Sequence, residues 1–378
     1  MGGVGLYIHI PFCRTRCGYC AFNSKAWSGE GPADYLDALR LEMNRLAEGW
    51  GADREFNTIF IGGGTPTIFS GEVLAGLLSD CRQQFRFRDN PEITVETNPN
   101  TVSVNSLVAL HEAGVNRLSI GVQSFDDRLL AEINRSHSAD QAVWAVAAAR
   151  EVGFANLNLD LIYGLPGQTL KDWRRTLLTA LALEPEHLAL YELSVEPATP
   201  FAARQERGEL SLPEDDLMAE MEVLAQAELR RHGYQRYEIS NYARPGFQCR
   251  HNLNYWQNGP YVGLGAGAVS SFDGLRLKNV DDAKIYTAKI GSGLPAFREG
   301  EALGHAASFR ETVIMGLRLL DGVQLASLRA RYDLEPLTYY GPTLERLRDR
   351  GLVAWNEERL WLTATALPVA HQVLSDLV

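Results

Sequence analysis

Three cysteines fall in one eight-residue run, Cys13-Arg14-Thr15-Arg16-Cys17-Gly18-Tyr19-Cys20. Three thiolates spaced C-x3-C-x2-C on a short loop can cap three irons of a 4Fe–4S cluster, leaving the fourth iron free to bind a small molecule. A structural zinc ion would need a fourth ligand, and the nearby His9 points along a strand rather than into the loop. Unligated thiols are the third reading. Cys81, in the helical pattern Leu77-Leu78-Ser79-Asp80-Cys81, reads as an inert buried thiol. Cys249 stands two residues before His251 in an aromatic stretch. An odd total of five cysteines with one tight cluster does not read as a secreted disulfide framework.

The segments around the cysteines must place them. Apolar strand-like runs occur at Leu6–Ile10, Thr58–Ile61, Ile93–Glu96, Arg117–Gly121, Asn156–Ile162 and His187–Leu193. Helical patterns separate them, at Pro32–Glu48, Gly71–Phe85, Ser103–Ala113, Asp126–Ile133 with Ala139–Val152, and Leu170–Leu183. Ser70 and Ser103 stand where helix N-caps are expected. Repeated strand–helix alternation implies a parallel sheet with helices packed outside it. Six units are too few for a closed eight-fold barrel, so the expected fold is α/β, a partial, open (β/α)6 TIM-like barrel. In such folds chemistry gathers where the strands end at their C-termini. Those ends read Ile10-Pro11-Phe12-Cys13, Ile61-Gly62-Gly63-Gly64-Thr65-Pro66, Glu96-Thr97-Asn98-Pro99, Gly121-Val122-Gln123-Ser124 and Asp160-Leu161-Ile162-Tyr163-Gly164. Each delivers a glycine-rich turn or a polar side chain to one rim.

Three regions are expected. Residues 1–197 form the barrel. Residues 198–306 form a connecting α/β region with a long helix at Asp215–His232 and an aromatic, glycine-rich stretch from Tyr234 to Phe272. Residues 307–378 form a C-terminal unit of helices followed by two short apolar runs flanking Asn356-Glu357-Glu358, the pattern of a small winged-helix-like domain. That fold alone assigns no DNA binding. Of 378 residues, 46% are apolar and 22% charged, and the net charge is −11. This acidity argues against broad binding to nucleic acid or anionic membrane. No apolar run approaches the roughly 18 residues that span a bilayer, and the N-terminus lacks the parts of a secretion signal. A cytoplasmic location is expected.

The motifs YIHIPFCRTRCGYC, FIGGGTPT, ETNP, GVQSF, INRSH and NLDLIYGLPGQT resemble the radical S-adenosylmethionine (SAM) superfamily. The resemblance covers essentially the whole chain. It points to the branch holding oxygen-independent coproporphyrinogen III oxidase and the HemW-type heme chaperones. It implies a 4Fe–4S cluster on Cys13, Cys17 and Cys20, with SAM chelated to the open iron through its amino and carboxylate groups. Gly63, Gly64 and Thr65 would let backbone approach the methionine part of SAM. Glu96 and Gln123 match positions contacting its ribose and methionine parts, and Arg135 one pairing with its carboxylate. Asp160 would accept from ribose hydroxyls. Tyr7 matches a position beside the bound cofactor, and Tyr19 an aromatic near the adenine.

Within that branch, the oxidases carry a fourth cysteine two residues after the third, where this chain has Phe22, and a long N-terminal extension, whereas this sequence starts six residues before Tyr7. Both features favour the chaperone. His251-Asn252-Leu253-Asn254-Tyr255-Trp256 resembles the chaperones' heme-associated motif, which makes His251 the candidate heme ligand and Cys249 a second. Relatives often carry a histidine in the turn Gly265-Ala266-Gly267-Ala268-Val269, where Val269 stands here. The resemblance therefore implies a protein that binds heme and delivers it to a recipient, membrane-associated or soluble, with no nucleic acid partner. The alternative is the oxidase, converting propionates to vinyl groups in porphyrin biosynthesis by radical decarboxylation. A third reading is a radical enzyme that methylates or opens the tetrapyrrole ring.

Overall fold

The computed structural model describes residues 3–27 and 32–378. Six strands run parallel in sequence order: β1 (Val4–Ile10), β2 (Glu55–Gly63), β3 (Arg86–Thr97), β4 (Arg117–Gln123), β5 (Leu157–Tyr163) and β6 (His187–Glu192). Each crossover carries helix, as a parallel register requires. Helix starts follow local chemistry. Ser70 accepts from the Val73 N–H, and Ser103 forms a capping box with Ser106.

Six further strands extend this sheet: β7 (Gln235–Arg236), β8 (Asn241–Ala243), β9 (Tyr261–Leu264), β10 (Val269–Phe272), β11 (Leu275–Asn279) and β12 (Phe297–Ala302). The order is β12-β11-β10-β9-β1-β2-β3-β4-β5-β6-β8-β7, an open sheet with two edges. β9 lies parallel to β1, with Gly5 opposite Tyr261. This seventh parallel strand comes from the aromatic, glycine-rich stretch. It is four residues long and interrupted by Gly263, too short to show a strand period in sequence. Residues 198–306 thus supply strands to both flanks of the barrel sheet, and one apolar core runs from Val4 to Ala296.

A second core, from Phe309 to Leu377, belongs to the C-terminal unit. Its three strands, β13 (Val323–Gln324), β14 (Val353–Trp355) and β15 (Arg359–Leu362), pair in the order β13-β15-β14. The turn between β14 and β15 is closed by Asn356, whose Oδ1 accepts from the N–H groups of Glu358 and Arg359. The unit meets the main sheet where the Leu320 N–H donates to the Tyr237 carbonyl and Asn258 Nδ2 donates to Thr312 Oγ1.

Candidate functional site: the cysteine loop and the cavity beneath it

The loop after β1 is bound to its surroundings through backbone. Lys25 N–H donates to the Pro11 carbonyl and Trp27 N–H to that of Cys13, which closes the loop on itself. From β2, Gly64 N–H donates to the Ile10 carbonyl and Thr65 N–H to that of Phe12, both at 2.8 Å. A β-carbon on Gly64 would sit 2.6 Å from the Phe12 oxygen, so only glycine allows this approach of two backbones. Gly63 has φ +114°, and its N–H donates to Glu96 Oε2 at 2.9 Å. The glycine turn therefore serves the cysteine loop directly, besides any ligand. His9 also reaches the loop: its Nε2 lies 2.8 Å from the Asn23 carbonyl and its Nδ1 2.9 Å from the Tyr7 hydroxyl.

The segment Ile133–His137 clamps the loop from the other side. The Ile133 carbonyl accepts from Gly18 N–H, Asn134 Nδ2 donates to the Arg16 carbonyl, and Arg135 Nη1 lies 3.4 Å from Cys17 Sγ. Thr65 Oγ1 lies 3.7 Å from Cys13 Sγ. His137 ties in the ends of β3 and β4, bonding Asn98 Oδ1 and the Val122 carbonyl, and burial lowers it to about 4. Burial raises the thiols of Cys13 and Cys20.

Below the loop opens a cavity of about 650 Å³, within the range of about 300–1,000 Å³ usual for ligand sites. Its wall includes Cys13, Cys17, Tyr19 and Cys20 from the loop, Gly63, Gly64 and Thr65 from the β2 turn, Glu96, Gln123, Arg135 and Asp160. For the cysteines, the glycine turn, Glu96 and Gln123 the sequence signal was their position at or just after strand ends, whereas Tyr19, Asp160 and Arg135, the last in the INRSH segment between two helices, were matched through the family resemblance. Gln123 has φ +67° where β4 slips register against β5, and its buried Oε1 has no hydrogen-bond partner. Backbone strain beside an unpaired polar atom is typical of a binding position. Asp160 accepts from Asn158 Nδ2 and Ser119 Oγ, and burial raises its carboxyl. The Tyr19 ring packs against Phe201.

Tyr7 and His251 are not on this wall. Tyr7 stands behind Phe60, which does line the cavity. His251 is 1% exposed, with Nδ1 2.8 Å from Thr58 Oγ1 and Nε2 2.9 Å from the Tyr255 hydroxyl. Burial lowers it to about 3. Of its motif, Asn252 is the residue that reaches the cavity. Cys249 is fully buried, donates to Glu92 Oε1 and is pushed up to about 12 by burial, as is the buried Cys81. Val269 begins β10, and the turn before it touches the cysteine loop through Asn23, whose Nδ2 donates to the Ala266 carbonyl.

Of the cavity floor, sequence reasoning reached Gln123 and Asp160 but missed Arg117, Ser119 and Asn158. Arg117, Ser119, Gly121 and Gln123 alternate along β4, and all four line the cavity, as do Asn158, Asp160 and Ile162 of β5. The period of two was there to be read. Arg117 is 2% exposed, and its Nε has no hydrogen-bond partner. The end of β6 adds Tyr191 and Ser194.

Burial first, and then the neighbouring Asp160 carboxylate, push the Glu96 carboxyl up to about 8 from 4.5. Between those values the native chain holds a proton that the unfolded chain has released, so this group's contribution to stability falls as pH rises through the window. Glu96→Gln is expected to flatten that fall. Urea midpoints of the ligand-free protein, compared with wild type across about pH 4.5–8, measure it. Parallel curves for the two proteins would refute the shift.

Residues 7–180 match the radical SAM superfamily, and residues 305–369 match the HemN C-terminal domain. The heme chaperone HemW of Bacillus subtilis (strain 168) is 40% identical over 370 residues, 97% of each chain. That of Mycobacterium tuberculosis (strain ATCC 25618 / H37Rv) is 36% identical over 377 residues, 99% of this chain and 94% of the relative. The chain belongs to the HemW family. Its fold is also that of a solved radical SAM enzyme, coproporphyrinogen III oxidase (HemN) from Escherichia coli, with TM-score 0.87 and 27% identity over 99% of this chain and 90% of that one. HemW of Escherichia coli (strain K12) is 44% identical over 304 residues, 79% of each chain. Membership accounts for the open α/β sheet with its C-terminal unit. Among the described residues of this HemW-family chain, no helix is long and apolar enough to cross a membrane.

Proposed function

We propose that this protein is a heme chaperone that uses a 4Fe–4S cluster and SAM, binds heme and passes it to a recipient protein in the cytoplasm or at a membrane. The observation that carries this reading is the similarity to HemW chaperones along nearly the full length of both chains. Phe22, exposed at the cavity rim where the oxidases carry a fourth cysteine, favours the chaperone over the oxidase.

Cys13, Cys17 and Cys20 would hold the cluster. The donor set fits: three thiols share one cavity wall, and Thr65 and Arg135 offer donors to two of the sulfurs, where thiolate charge needs neutralising. When bound, such a cluster supplies one-electron chemistry and an open iron position. Gly63, Gly64, Thr65, Glu96, Gln123, Arg135 and Asp160 would hold SAM, with Tyr19 along its adenine, and Tyr7 would steady His9 behind the loop. We assign residues 1–197 to the cluster and SAM, 198–306 to a connecting region with heme-associated elements and 307–378 to a winged-helix-like C-terminal unit.

Anaerobic hemin titration of the reconstituted protein tests the reading. One-to-one saturable binding, with no conversion of coproporphyrinogen detected by mass spectrometry, is the expected result. Turnover without heme binding would establish the oxidase instead.

A further inference from the structure

A second cavity, of about 590 Å³, lies at the seam between the main sheet and the C-terminal unit. One wall is the helix Arg250–Trp256, through Leu253 and Trp256; the other carries Leu319, Val323 and Leu328, with Arg331 and Arg359. This helix turns His251 inward to Thr58 and Tyr255, while Leu253 and Trp256 face the seam.

Three features of the seam are incomplete. The Trp256 indole Nε1 is shut off from solvent and has no hydrogen-bond partner, although a buried indole N–H normally finds one. Arg331 donates to the Asn258 carbonyl and Arg359 to the Asp321 carbonyl. Among the described residues, neither guanidinium is in an ion pair with a carboxylate. The Arg318 guanidinium covers the Trp256 ring at 4.4 Å, and its buried Nε is also unpartnered. Asp321 is the one carboxylate on the wall. The lining therefore combines apolar side chains with two arginines that lack carboxylate partners, and it matches a flat amphipathic dianion.

Resting on the chaperone reading, we propose that the heme site is this seam cavity, with the propionates on Arg331 and Arg359 and the ring against Leu253 and Trp256. Arginine suits this role because its planar fork pairs with carboxylates through two parallel bonds. No histidine, cysteine or methionine lines the cavity. Its Tyr237 hydroxyl is already bonded to His187 Nε2. The tetrapyrrole is thus held by its carboxylates and its faces and not by strong ligation of the iron. That arrangement suits a protein that must release its cargo. It also places the cargo away from the cluster cavity and between two separately packed cores.

The test is a set of absorbance titrations on the full chain with hemin, metal-free protoporphyrin IX and protoporphyrin IX dimethyl ester. Hemin and protoporphyrin IX are expected to bind within about threefold of each other, and the ester at least about tenfold more weakly, a loss of about 1.4 kcal/mol or more. Arg331→Glu with Arg359→Glu is expected to weaken hemin binding at least about tenfold. Arg348→Glu, an exposed cation outside the seam, should leave it unchanged. Near-UV circular dichroism checks that the double variant keeps its fold, and Arg359→Gln alone, a milder change, should give a smaller loss. Unaltered hemin affinity in the double variant would overturn the site while leaving the chaperone reading intact. Binding of hemin but not of protoporphyrin IX would overturn it too, by putting iron ligation in charge. Failure of wild type to bind any tetrapyrrole would overturn the chaperone reading itself, and this site with it.

Discussion

Cys17→Ala is expected to abolish the iron–sulfur absorbance of the reconstituted protein while leaving a folded chain. Cys17 is buried at the centre of the loop, and its sulfur faces the Arg135 guanidinium. Removing it leaves two thiols, too few to hold a cluster that needs three protein ligands here. It also leaves the Arg135 donor without its sulfur partner. The loop should nonetheless stay in place, because its backbone is bonded independently of the sulfurs. Gly18 N–H donates to the Ile133 carbonyl, Thr65 N–H to Phe12 and Lys25 N–H to Pro11. Iron and sulfide analysis reads the loss, and thermal denaturation of the unreconstituted protein reads the fold. A full complement of iron and sulfide in the variant would refute the ligand assignment. A chain that no longer folds would show that the thiol holds structure.

His251→Ala is expected to destabilise the protein by about 2–4 kcal/mol. The imidazole is fully enclosed, and each ring nitrogen meets a hydroxyl, Thr58 Oγ1 on one side and Tyr255 on the other. It also stacks on Phe60 with ring centroids 5.2 Å apart. Truncation opens a void and strands two buried hydroxyls, and each uncompensated polar group costs about 1–3 kcal/mol. A further consequence is specific to the geometry: His251 anchors the helix that carries Asn252 to one cavity and Trp256 to the other. Urea denaturation measures the stability, and hemin titration well below the midpoint measures binding by the folded fraction. Unchanged stability together with lost heme affinity would reverse the assignment and make His251 the iron ligand.

The chemistry of the rim was legible in the chain because it is local. C-x3-C-x2-C, the glycine turn, Glu96 and Gln123 each stand at or just past the end of an apolar run, and Asp160 lies midway along one. Parallel strands joined by helices must bring such ends to one side, and the cavity wall collects them. Helix boundaries were legible for the same reason, since Ser70 and Ser103 cap helices through bonds to residues three positions away.

Contacts between distant segments were not legible. Nothing within GGGT shows that a β-carbon on Gly64 would strike the Phe12 backbone, or within INRSH that Asn134 and Arg135 grip the cysteine loop more than a hundred residues earlier. Strand β9 is four residues long, and pairing with β1, not its own pattern, makes it part of the sheet. The motif around His251 shows the difference most sharply. Its residue types say that an imidazole and two aromatics lie close together, because they are neighbours in sequence. Which face of the short helix each one occupies depends on what packs there. Thr58 and Tyr255 take up the imidazole, and the C-terminal unit closes over Trp256. Residue spacing determines which groups can act together along one segment. Burial and hydrogen-bond partners, which come only from the packed chain, decide which of them remain free to bind anything else.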